Sequence, residues 1–350
     1  MNIAGSVKWL LALVFVAGLG AGPAIAQPAQ DRASTEAKQE AQQPGNNKPF
    51  WADVQAGRIG STQVQNIEAG SIINPQGQVW RALHEGPIPF WGAIWLIAVI
   101  VALLLWHFIV GPMRLHEPET GRRIWRFSAW ERTLHWTLAT SFVLLALTGL
   151  ILFFGKYYLA MLLTYPIYSW VARFSVSLHN FTAPVFAVSL ILAVLAFLRR
   201  NVWQAHDWRW FRRGGGFIGK RDPGSGFFNA GEKLWFWGGV TLVGVAMIVS
   251  GLILLFPVFS QTRAMLAGAD IVHVIGALLF VGAAFGHIYI GTIGMRGAYR
   301  AMRKGWVDET WAKEHHRFWY EDLKSGRARE ASAEPLVTPR AEPGVPRPAR

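Results

Sequence analysis

Four histidines lie well inside apolar stretches of the sequence, and their chemistry needs an explanation: His135, His179, His273 and His287. An ionisable side chain among apolar residues costs free energy unless it is paired, so each of the four is a candidate functional residue. A neutral imidazole meets that cost when one ring nitrogen ligates iron. Hydrogen bonding to a neighbouring helix is the alternative for any single histidine, but it explains the whole set poorly.

The spacing of the last two histidines places two ligands on one helix face. His273 and His287 are fourteen residues apart. In an α-helix this separation corresponds to about 21 Å along the axis and about 40° around it. Small residues nearby leave room for close helix packing or for a flat macrocycle. They are Gly268, Ala269, Gly276, Ala277, Gly282, Ala283, Ala284 and Gly286.

Five apolar segments must position these histidines. Each is long enough to cross a bilayer as a helix, for which about 20 residues suffice. Helices are required because unpaired backbone groups are too costly in lipid. The sequence therefore predicts an all-α membrane protein with five transmembrane helices, four of which form the histidine-bearing bundle. The predicted segments are 88–110, 128–154, 171–198, 232–256 and 263–295.

Composition and charge agree with this class. Hydrophobic residues make up 52% of the 350 residues and charged residues only 16%, with a formal net charge of +13. Lys and Arg number five in 111–133, two in 155–173, eight in 199–233, one in 257–268 and twelve after 295. By the positive-inside rule, the first and third of these loops and the tail are cytoplasmic, and the mature N-terminus is periplasmic. We therefore expect a multi-pass protein of a bacterial inner membrane and no nucleic-acid partner.

The two ends of the chain are predicted to differ from its middle. Residues 1–26 have the regions of a secretory signal peptide, with cleavage expected after Ala26. Residues 27–50 have almost no large apolar side chains and are predicted to be a flexible arm. Residues 51–89 are predicted to form a small periplasmic segment of short strands and turns, because the apolar residues stand among Gly and Asn. These apolar residues are Val64, Ile67, Ile72, Ile73, Val79 and Trp80. An extra transmembrane helix at 90–110 then precedes a four-helix domain at 125–296. The remainder, 297–350, is predicted to be a cytoplasmic tail that is disordered from about residue 325.

Depth in the membrane predicts how the histidines pair. The capping-box pattern from Ser128 to Glu131 starts the second helix about two turns before His135, near its cytoplasmic end. His287 lies within about three turns of its own cytoplasmic end. His179 and His273 both follow periplasmic loops. The predicted pairs are therefore His135 with His287 and His179 with His273, each able to share one haem. Two imidazoles leave no open iron position, which suits electron transfer and argues against oxygen chemistry.

Other chemistries fit the sequence less well. No cysteine is present, which excludes disulfides, thiolate-bound iron–sulfur clusters, covalent CxxCH haem and cysteine nucleophiles within the chain. A transporter with a proton pathway would usually add buried carboxylates, and Asp270, near a segment end, is the one acid we assign to the inner segments. His107 is predicted to have an interfacial role. Solvated roles are predicted for the histidines outside the segments, which are His84, His116, His206, His315 and His316.

A quinone site beside the cytoplasmic pair would need a polar side chain for a quinone carbonyl and access for protons. Asn229, at the start of the fourth segment, is the candidate, with His287 near it in depth. The alternative is that Asn229 is an ordinary helix N-cap. The residues alone leave both interpretations open.

Between about residues 125 and 323 the sequence resembles the gamma subunit, or cytochrome b subunit, of membrane-bound formate dehydrogenase. The NAGEK and KEHHRFWY segments are the most specific pieces, because four histidines alone also fit the cytochromes of hydrogenases and thiosulfate reductases. The signal peptide, the QVWR region and the extra first helix resemble the longer proteobacterial form. The matching pieces are RFSAWERTLHWTLATSFVLLALTGLILFF, SLHNF, FFNAGEKLWFW, the helix from His273 to His287, and WAKEHHRFWYEDL.

The resemblance implies two b haems with the axial pairs named above. It also implies that electrons from formate, oxidised in a molybdenum or tungsten catalytic subunit, pass through an iron–sulfur subunit to the outer haem. Quinone, either menaquinone or ubiquinone, would then be reduced near the inner haem, where Asn229 occupies the quinone side. The chain itself would carry no formate-oxidising site. The proline at 184, soon after His179, departs from the pattern and predicts a kink.

Three alternatives stay open from the residues alone. The chain could be a cytochrome b subunit that serves another dehydrogenase, a hydrogenase or a thiosulfate reductase. It could also be a membrane anchor without haem, or a transporter.

Overall fold

The computed structural model describes residues 48–56, 58, 75–216, 223–257 and 261–331. The predicted signal peptide and the predicted arm as far as residue 47 lie outside these ranges. The chain divides into two compact units, Met1–Pro75 and Gln76–Arg350. The described part of the first unit contains α1 (Lys48–Gln55). The spans and the sites discussed below belong to the second unit.

The strands predicted for residues 51–89 are wrong where the structure describes this segment. α1 covers its beginning, and α2 (Pro75–His84) covers much of its end. Val79 and Trp80, which we expected in a strand, lie in α2, where the good helix formers around them favour a helix. The β-branched residues that suggested strands lie outside the described residues: Val64, Ile67, Ile72 and Ile73.

Among the described residues, five helical spans are long and apolar enough to cross a membrane, which confirms the predicted all-α membrane architecture. The third starts at Tyr165 rather than at residue 171, because a proline in its first turn is preorganised for a helix start. Pro184 lies inside this helix without ending it. We number the spans first to fifth: Gly77–Ile109, Ala129–Phe154, Tyr165–Asn201, Ala230–Leu255 and Arg263–Gly294.

Shorter elements connect and extend the spans. The fourth span contains a π-helical stretch, Trp235–Val243, and the fifth ends in another, Ile290–Gly294. The remaining elements in chain order are α3 (Pro87–Ile109), β1 (Arg123–Trp125), α4 (Ala129–Phe154), α5 (Leu159–Leu162), α6 (Tyr165–Phe197), α7 (Ala205–Arg212), α8 (Ala230–Leu234), α9 (Gly244–Leu255), α10 (Arg263–Tyr289), α11 (Ala298–Lys304), β2 (Trp306–Asp308), α12 (Glu309–His315) and α13 (Arg317–Lys324).

The second and fourth spans both start with a capping box. The Ser128 hydroxyl accepts a hydrogen bond from the Glu131 amide, and the Glu131 carboxylate accepts one from the Ser128 amide at 2.8 Å. This confirms the predicted capping box. Asn229 and Glu232 repeat it, with distances of 2.9 and 2.8 Å. Each box satisfies amides that the first helical turn leaves without partners.

The spans pack as two pairs. The second span packs along the third, the fourth along the fifth, and the first lies against the fifth. Between the pairs, Phe186, Leu190 and Phe280 are buried, and Phe142 packs against them. This apolar layer joins the two helix pairs near mid-span.

The segments 111–128, 202–216, 223–229 and 295–331 fold together at one end of the bundle, which we call the basic end. β1 pairs antiparallel with β2, so that Ile124 lies opposite Val307. Arg126 is buried, and its guanidinium lies 5.1 to 5.9 Å from the centres of five aromatic rings. It also donates to the Phe227 carbonyl at 2.6 Å. Cation–π contacts therefore fix the tail to the spans.

The solvated roles predicted for His315 and His316 are wrong. Both are buried, because α12 and α13 fold back onto the spans and carry them inside. His316 Nδ1 donates to the Gly226 carbonyl at 2.8 Å, and Ser225 donates its hydroxyl hydrogen to the His315 carbonyl at 2.7 Å. Burial holds the pKa of His316 well below its usual range, so the ring is neutral at pH 7. The KEHHRFWY segment is thus part of a folded end, and described structure continues to Ala331.

Replacing Lys233 by methionine should destabilise the protein by about 3–5 kcal/mol, because the Asp207 carboxylate would stay buried without its partner. The two side chains are each 2% exposed and lie 2.7 Å apart. Unfolding of the detergent-solubilised protein, followed by tryptophan fluorescence, measures the change. Lys313→Met is the control, since the Lys313–Glu117 pair is exposed and should contribute at most about 1 kcal/mol. Equal effects of the two substitutions would contradict the prediction.

Candidate metal centres

The structure brings the four intramembrane histidines together in the two predicted combinations. The ring centres of His135 and His287 are 6.3 Å apart. Those of His179 and His273 are 6.2 Å apart. Each combination joins a histidine of the second or third span to one of the fifth. We call them the basic-end pair and the opposite-end pair.

The spacing within each pair leaves room for one metal ion between two imidazoles. Metal–imidazole bonds of about 2 Å on either side would account for about 4 Å. The rest of the separation is the distance from each ring nitrogen to its ring centre. In the described part of the chain, no group of three or more His, Cys, Asp or Glu side chains could hold a metal. A metal here would need further ligands from outside the chain, and the four nitrogens of a haem macrocycle supply that need.

Hydroxyl groups hold the opposite-end pair. The Thr148 hydroxyl lies 2.9 Å from His179 Nδ1, and the Ser250 hydroxyl lies 3.0 Å from His273 Nδ1. Both Nδ1 atoms are therefore engaged, and Nε2 is the nitrogen that remains for a metal. A partner on one nitrogen fixes which of the two can ligate.

Glycines border the same two rings. A Cβ atom at Gly149 would lie 3.5 Å from His179 Cε1, which is an ordinary contact. A Cβ atom at Gly251 would lie 3.2 Å from His273 Cε1, which is tight. Each glycine directly follows the hydroxyl residue of its helix. Glycine at these two positions therefore leaves space beside both imidazole rings.

A polar cluster lies beyond the opposite-end pair. Asp270, one helical turn before His273, accepts a hydrogen bond from Trp80 Nε1 at 2.7 Å. His84 stacks on Trp80 with ring centres 4.9 Å apart and lies 3.5 Å from the same carboxylate. His84 is therefore not a loop residue in solvent, as we had predicted, because α2 packs it against the fifth span. Asp270 is satisfied by this cluster and is not one of a series of buried acids.

The basic-end pair has aromatic surroundings instead. Trp235 stacks on His287, with ring centres 5.0 Å apart and planes 15° from parallel. Trp136 meets His135 edge-on at 5.3 Å. The His135 Nδ1 atom is buried without a protein hydrogen-bond partner among the described residues. Aromatic packing thus orients these rings where hydroxyls orient the other two.

An aromatic layer separates the pairs. Phe142 lies seven residues after His135, and Phe280 lies seven residues after His273 and seven before His287. Their ring centres are 4.7 Å apart. The two candidate centres therefore lie at different depths, with an aromatic contact between them.

Asn229 caps the fourth span, as one of its two interpretations predicted. Its Oδ1 accepts from the Glu232 amide, and Glu232 in turn lies 3.4 Å from the buried Arg126. A role toward quinone stays a prediction. His107 lies in the first span, and its Nδ1 lies 3.2 Å from the Tyr289 hydroxyl. The interfacial role predicted for it stays a prediction.

Sequence reasoning missed three residues of these centres. Thr148 and Ser250 are hydroxyl residues inside apolar spans, each followed by glycine, and the repeated TGLIL and SGLIL strings are a signal that could have found them. The third residue is Trp235. Its stacking on His287 depends on how two helices meet, which the local sequence does not encode.

Comparison with known proteins identifies a family and named relatives of this chain. A family model described as prokaryotic cytochrome b561 matches residues 126–305. The chain is 29% identical over 210 residues to the Escherichia coli K12 "Formate dehydrogenase, cytochrome b556(fdo) subunit", covering 59% of this chain and 96% of that protein. It is 26% identical over 217 residues to the nitrate-inducible cytochrome b556(Fdn) subunit of the same strain, covering 58% and 93%. A cytochrome b556 subunit of formate dehydrogenase from Haemophilus influenzae is 28% identical over 212 residues, covering 59% and 86%. These matches confirm the resemblance stated from the motifs.

Gly251→Ala should weaken haem binding at the opposite-end pair by roughly tenfold, the lower range for disturbing the partner of a metal-bound histidine. The new methyl group would press on His273 and shift its ring against Ser250. Titrating haem into apoprotein and following the Soret band measures the affinity. Gly149→Ala is the matched control, because its methyl group would make only an ordinary contact with His179. Equal affinities of the two variants would count against the steric argument.

Proposed function

Because the chain belongs to the prokaryotic cytochrome b561 family, we propose that its four intramembrane histidines hold two b haems that carry electrons across the membrane. The observation that carries the proposal is the pairing of the rings at 6.2 and 6.3 Å. His179 and His273 would hold one haem, and His135 and His287 the other. Haem iron with two axial imidazoles supplies reversible one-electron chemistry without an open coordination position.

The direction of transfer follows from topology. The basic residues concentrate in the loops and the tail of the basic end, so the positive-inside rule assigns this end to the cytoplasm of a bacterial inner membrane. The His179–His273 pair then lies on the periplasmic side, where electrons arrive. His273 and His287 are fourteen residues apart on one helix, which separates the two haem sites by about 21 Å along the fifth span. The contact between Phe142 and Phe280 lies between the two sites.

The donor is assigned from the relatives. The similar proteins are named as subunits of formate dehydrogenase, and we propose the same complex for this chain. Its partners would be an iron–sulfur subunit and a molybdenum- or tungsten-containing catalytic subunit. The chain would serve that enzyme by electron transfer and would not itself oxidise formate.

The acceptor would be a quinone near the basic-end pair. The capping box engages Oδ1 of Asn229, so its amide nitrogen is the atom suited to donate to a quinone carbonyl. The cap and the quinone role are therefore compatible in one side chain. Glu232, 37% exposed and next to the buried Arg126, is a carboxylate at the cytoplasmic surface of the same region. It is positioned to pass protons inward as the quinone is reduced.

His273→Ala should remove only the periplasmic-side haem, and His287→Ala should remove the His287-bound haem with a larger loss of quinone reduction. Each substitution takes away one of two axial ligands at a single site. Pyridine haemochrome analysis and reduced-minus-oxidised spectra of the purified protein measure the content. His107→Gln is the control, because His107 lies in a span but outside both pairs, and it should keep both haems. A wild-type protein without b-type absorbance would refute the redox function and favour an anchor or a transporter.

Formate should reduce the haems of this chain in its isolated complex, and added quinone should reoxidise them. Asn229→Ala, which removes both the cap and the amide donor, should slow reoxidation while leaving reduction by formate unchanged. Asn229→Asp keeps a capping oxygen but loses the amide donor, so it separates the two roles. Reduction by hydrogen or by another donor, with none by formate, would assign the chain to a different oxidoreductase.

A further inference from the structure

We propose that Thr148 and Ser250 are positioning residues that give the two haems different reduction potentials. The haem between His179 and His273 is called the outer haem, and the haem between His135 and His287 the inner haem. Each residue would hold an axial histidine with its hydrogen on Nδ1, and together they would lower the reduction potential of the haem between His179 and His273. The inference rests on the proposed function, since it requires a haem at that pair. It concerns two hydroxyl groups that the electron-transfer role alone does not explain.

The hydrogen-bond geometry determines which partner donates. The Thr148 hydroxyl donates to the Leu144 carbonyl at 2.7 Å, and the Ser250 hydroxyl donates to the Ala246 carbonyl at 2.7 Å. A carbonyl can only accept, so each hydroxyl hydrogen is already used. Each hydroxyl oxygen can then accept from the imidazole, and the Leu145 and Met247 carbonyls also lie within hydrogen-bonding reach of His179 and His273. Because all of these partners are acceptors, the hydrogen lies on Nδ1. Nε2 of both rings is left unprotonated and able to ligate iron.

The two hydroxyl groups occupy equivalent positions in an internal repeat. Residues 127–136, FSAWERTLHW, align with 228–237, FNAGEKLWFW, at a separation of 101 residues (228 minus 127). Residues 148–152, TGLIL, align with 250–254, SGLIL, at 102 (250 minus 148). The one additional residue falls where the fourth span is π-helical, from Trp235 to Val243. A π-helical turn holds more residues than an α-helical turn, so it absorbs the insertion and keeps Ser250 in the place that matches Thr148.

The other pair lacks this arrangement. The position that matches His135 in the second repeat carries Phe236, and Trp235 beside it stacks on His287. His135 Nδ1 is buried without a protein acceptor among the described residues. Only the His179–His273 pair has a hydroxyl from each repeat. The two proposed haem sites therefore differ in the hydrogen-bond partners of their histidines.

This difference has a direct electronic consequence. An acceptor on Nδ1–H makes the imidazole a stronger electron donor through Nε2. A stronger axial donor stabilises oxidised iron more than reduced iron, and hydrogen bonding around the ligands is one of the means by which a protein sets haem potential. Two such bonds at one site lower its potential relative to the site without them. Transfer from the outer haem to the inner haem is then favourable, in the direction proposed above.

The test is a potentiometric titration of both haems in the complete complex. Thr148→Val and Ser250→Ala should each raise the potential of the outer haem, the double variant should raise it further, and the inner haem should not change. The hydroxyl-preserving variants Thr148→Ser and Ser250→Thr should stay near the wild-type potential. Ser141→Ala is the matched control, because Ser141 is buried in the same helix and bonds a backbone carbonyl but no histidine.

The outcomes separate this inference from the function on which it rests. Wild-type protein without haem would overturn the proposed function. Normal haem content with unchanged outer potential in the double variant would overturn the inference alone, as would an equal shift from Ser141→Ala. If Thr148→Val loses the outer haem, retention of that haem by Thr148→Ser supports the positioning role, and loss in both variants overturns it. Electron paramagnetic resonance of the oxidised outer haem gives a second readout, because altered imidazole donation changes its low-spin signal.

Discussion

The cost of a polar side chain in an apolar span governs the arrangement of this molecule. An imidazole has two nitrogens, and in lipid neither can rely on water. At His179 and His273 the chain satisfies one nitrogen with a hydroxyl of a neighbouring helix, and the two ring centres lie 6.2 Å apart, a separation suited to a metal between the imidazoles. The helices that bear hydroxyls therefore have to lie next to the helices that bear ligands. That requirement explains why the second span packs along the third and the fourth along the fifth.

The basic end is organised by a second buried charge. Arg126 lies just before the second span and is surrounded by aromatic rings from the segment before the fourth span and from the tail. A guanidinium in such a place needs both the rings and polar acceptors, which the Phe227 carbonyl and Glu232 provide. Residues far apart in sequence thereby fold into one layer over the basic-end pair. Asn229 begins the fourth span within this layer, so the cap, the arginine and the proposed quinone position depend on the same packing.

The sequence predicts the spans and the histidine pairs well, but it predicts poorly the side-chain contacts that support them. Apolar segment length locates all five spans, because lipid permits few alternatives to a helix. Depth along those spans pairs the histidines, because loop charges orient the helices. The solvated roles predicted for His315 and His316 were wrong for the opposite reason. A polar segment after the last span has no strong hydrophobic period, and contacts with distant residues such as Arg126 and Ser225 bury it. The α2 helix was missed because Gly and β-branched residues around it resemble strand and turn signals.

The internal repeat explains how one bundle comes to hold two unlike centres. A strict duplication would give both helix pairs the same groups at the same depth, and at the opposite end it does so, with a hydroxyl, a glycine and a histidine from each half. At the basic end the correspondence fails, because the first half places His135 where the second half places Phe236. The fifth span supplies His287 instead, and no matching histidine stands fourteen residues after His179, where the chain has Ala193. The additional residue in the π-helical stretch lies between these two levels. Because of this residue, the aromatic residues near the start of the fourth span differ in register from those of the second span, while Ser250 keeps the position that matches Thr148. The symmetry of the two halves is therefore retained at the end where electrons would arrive. It is lost at the end where a quinone would be reduced.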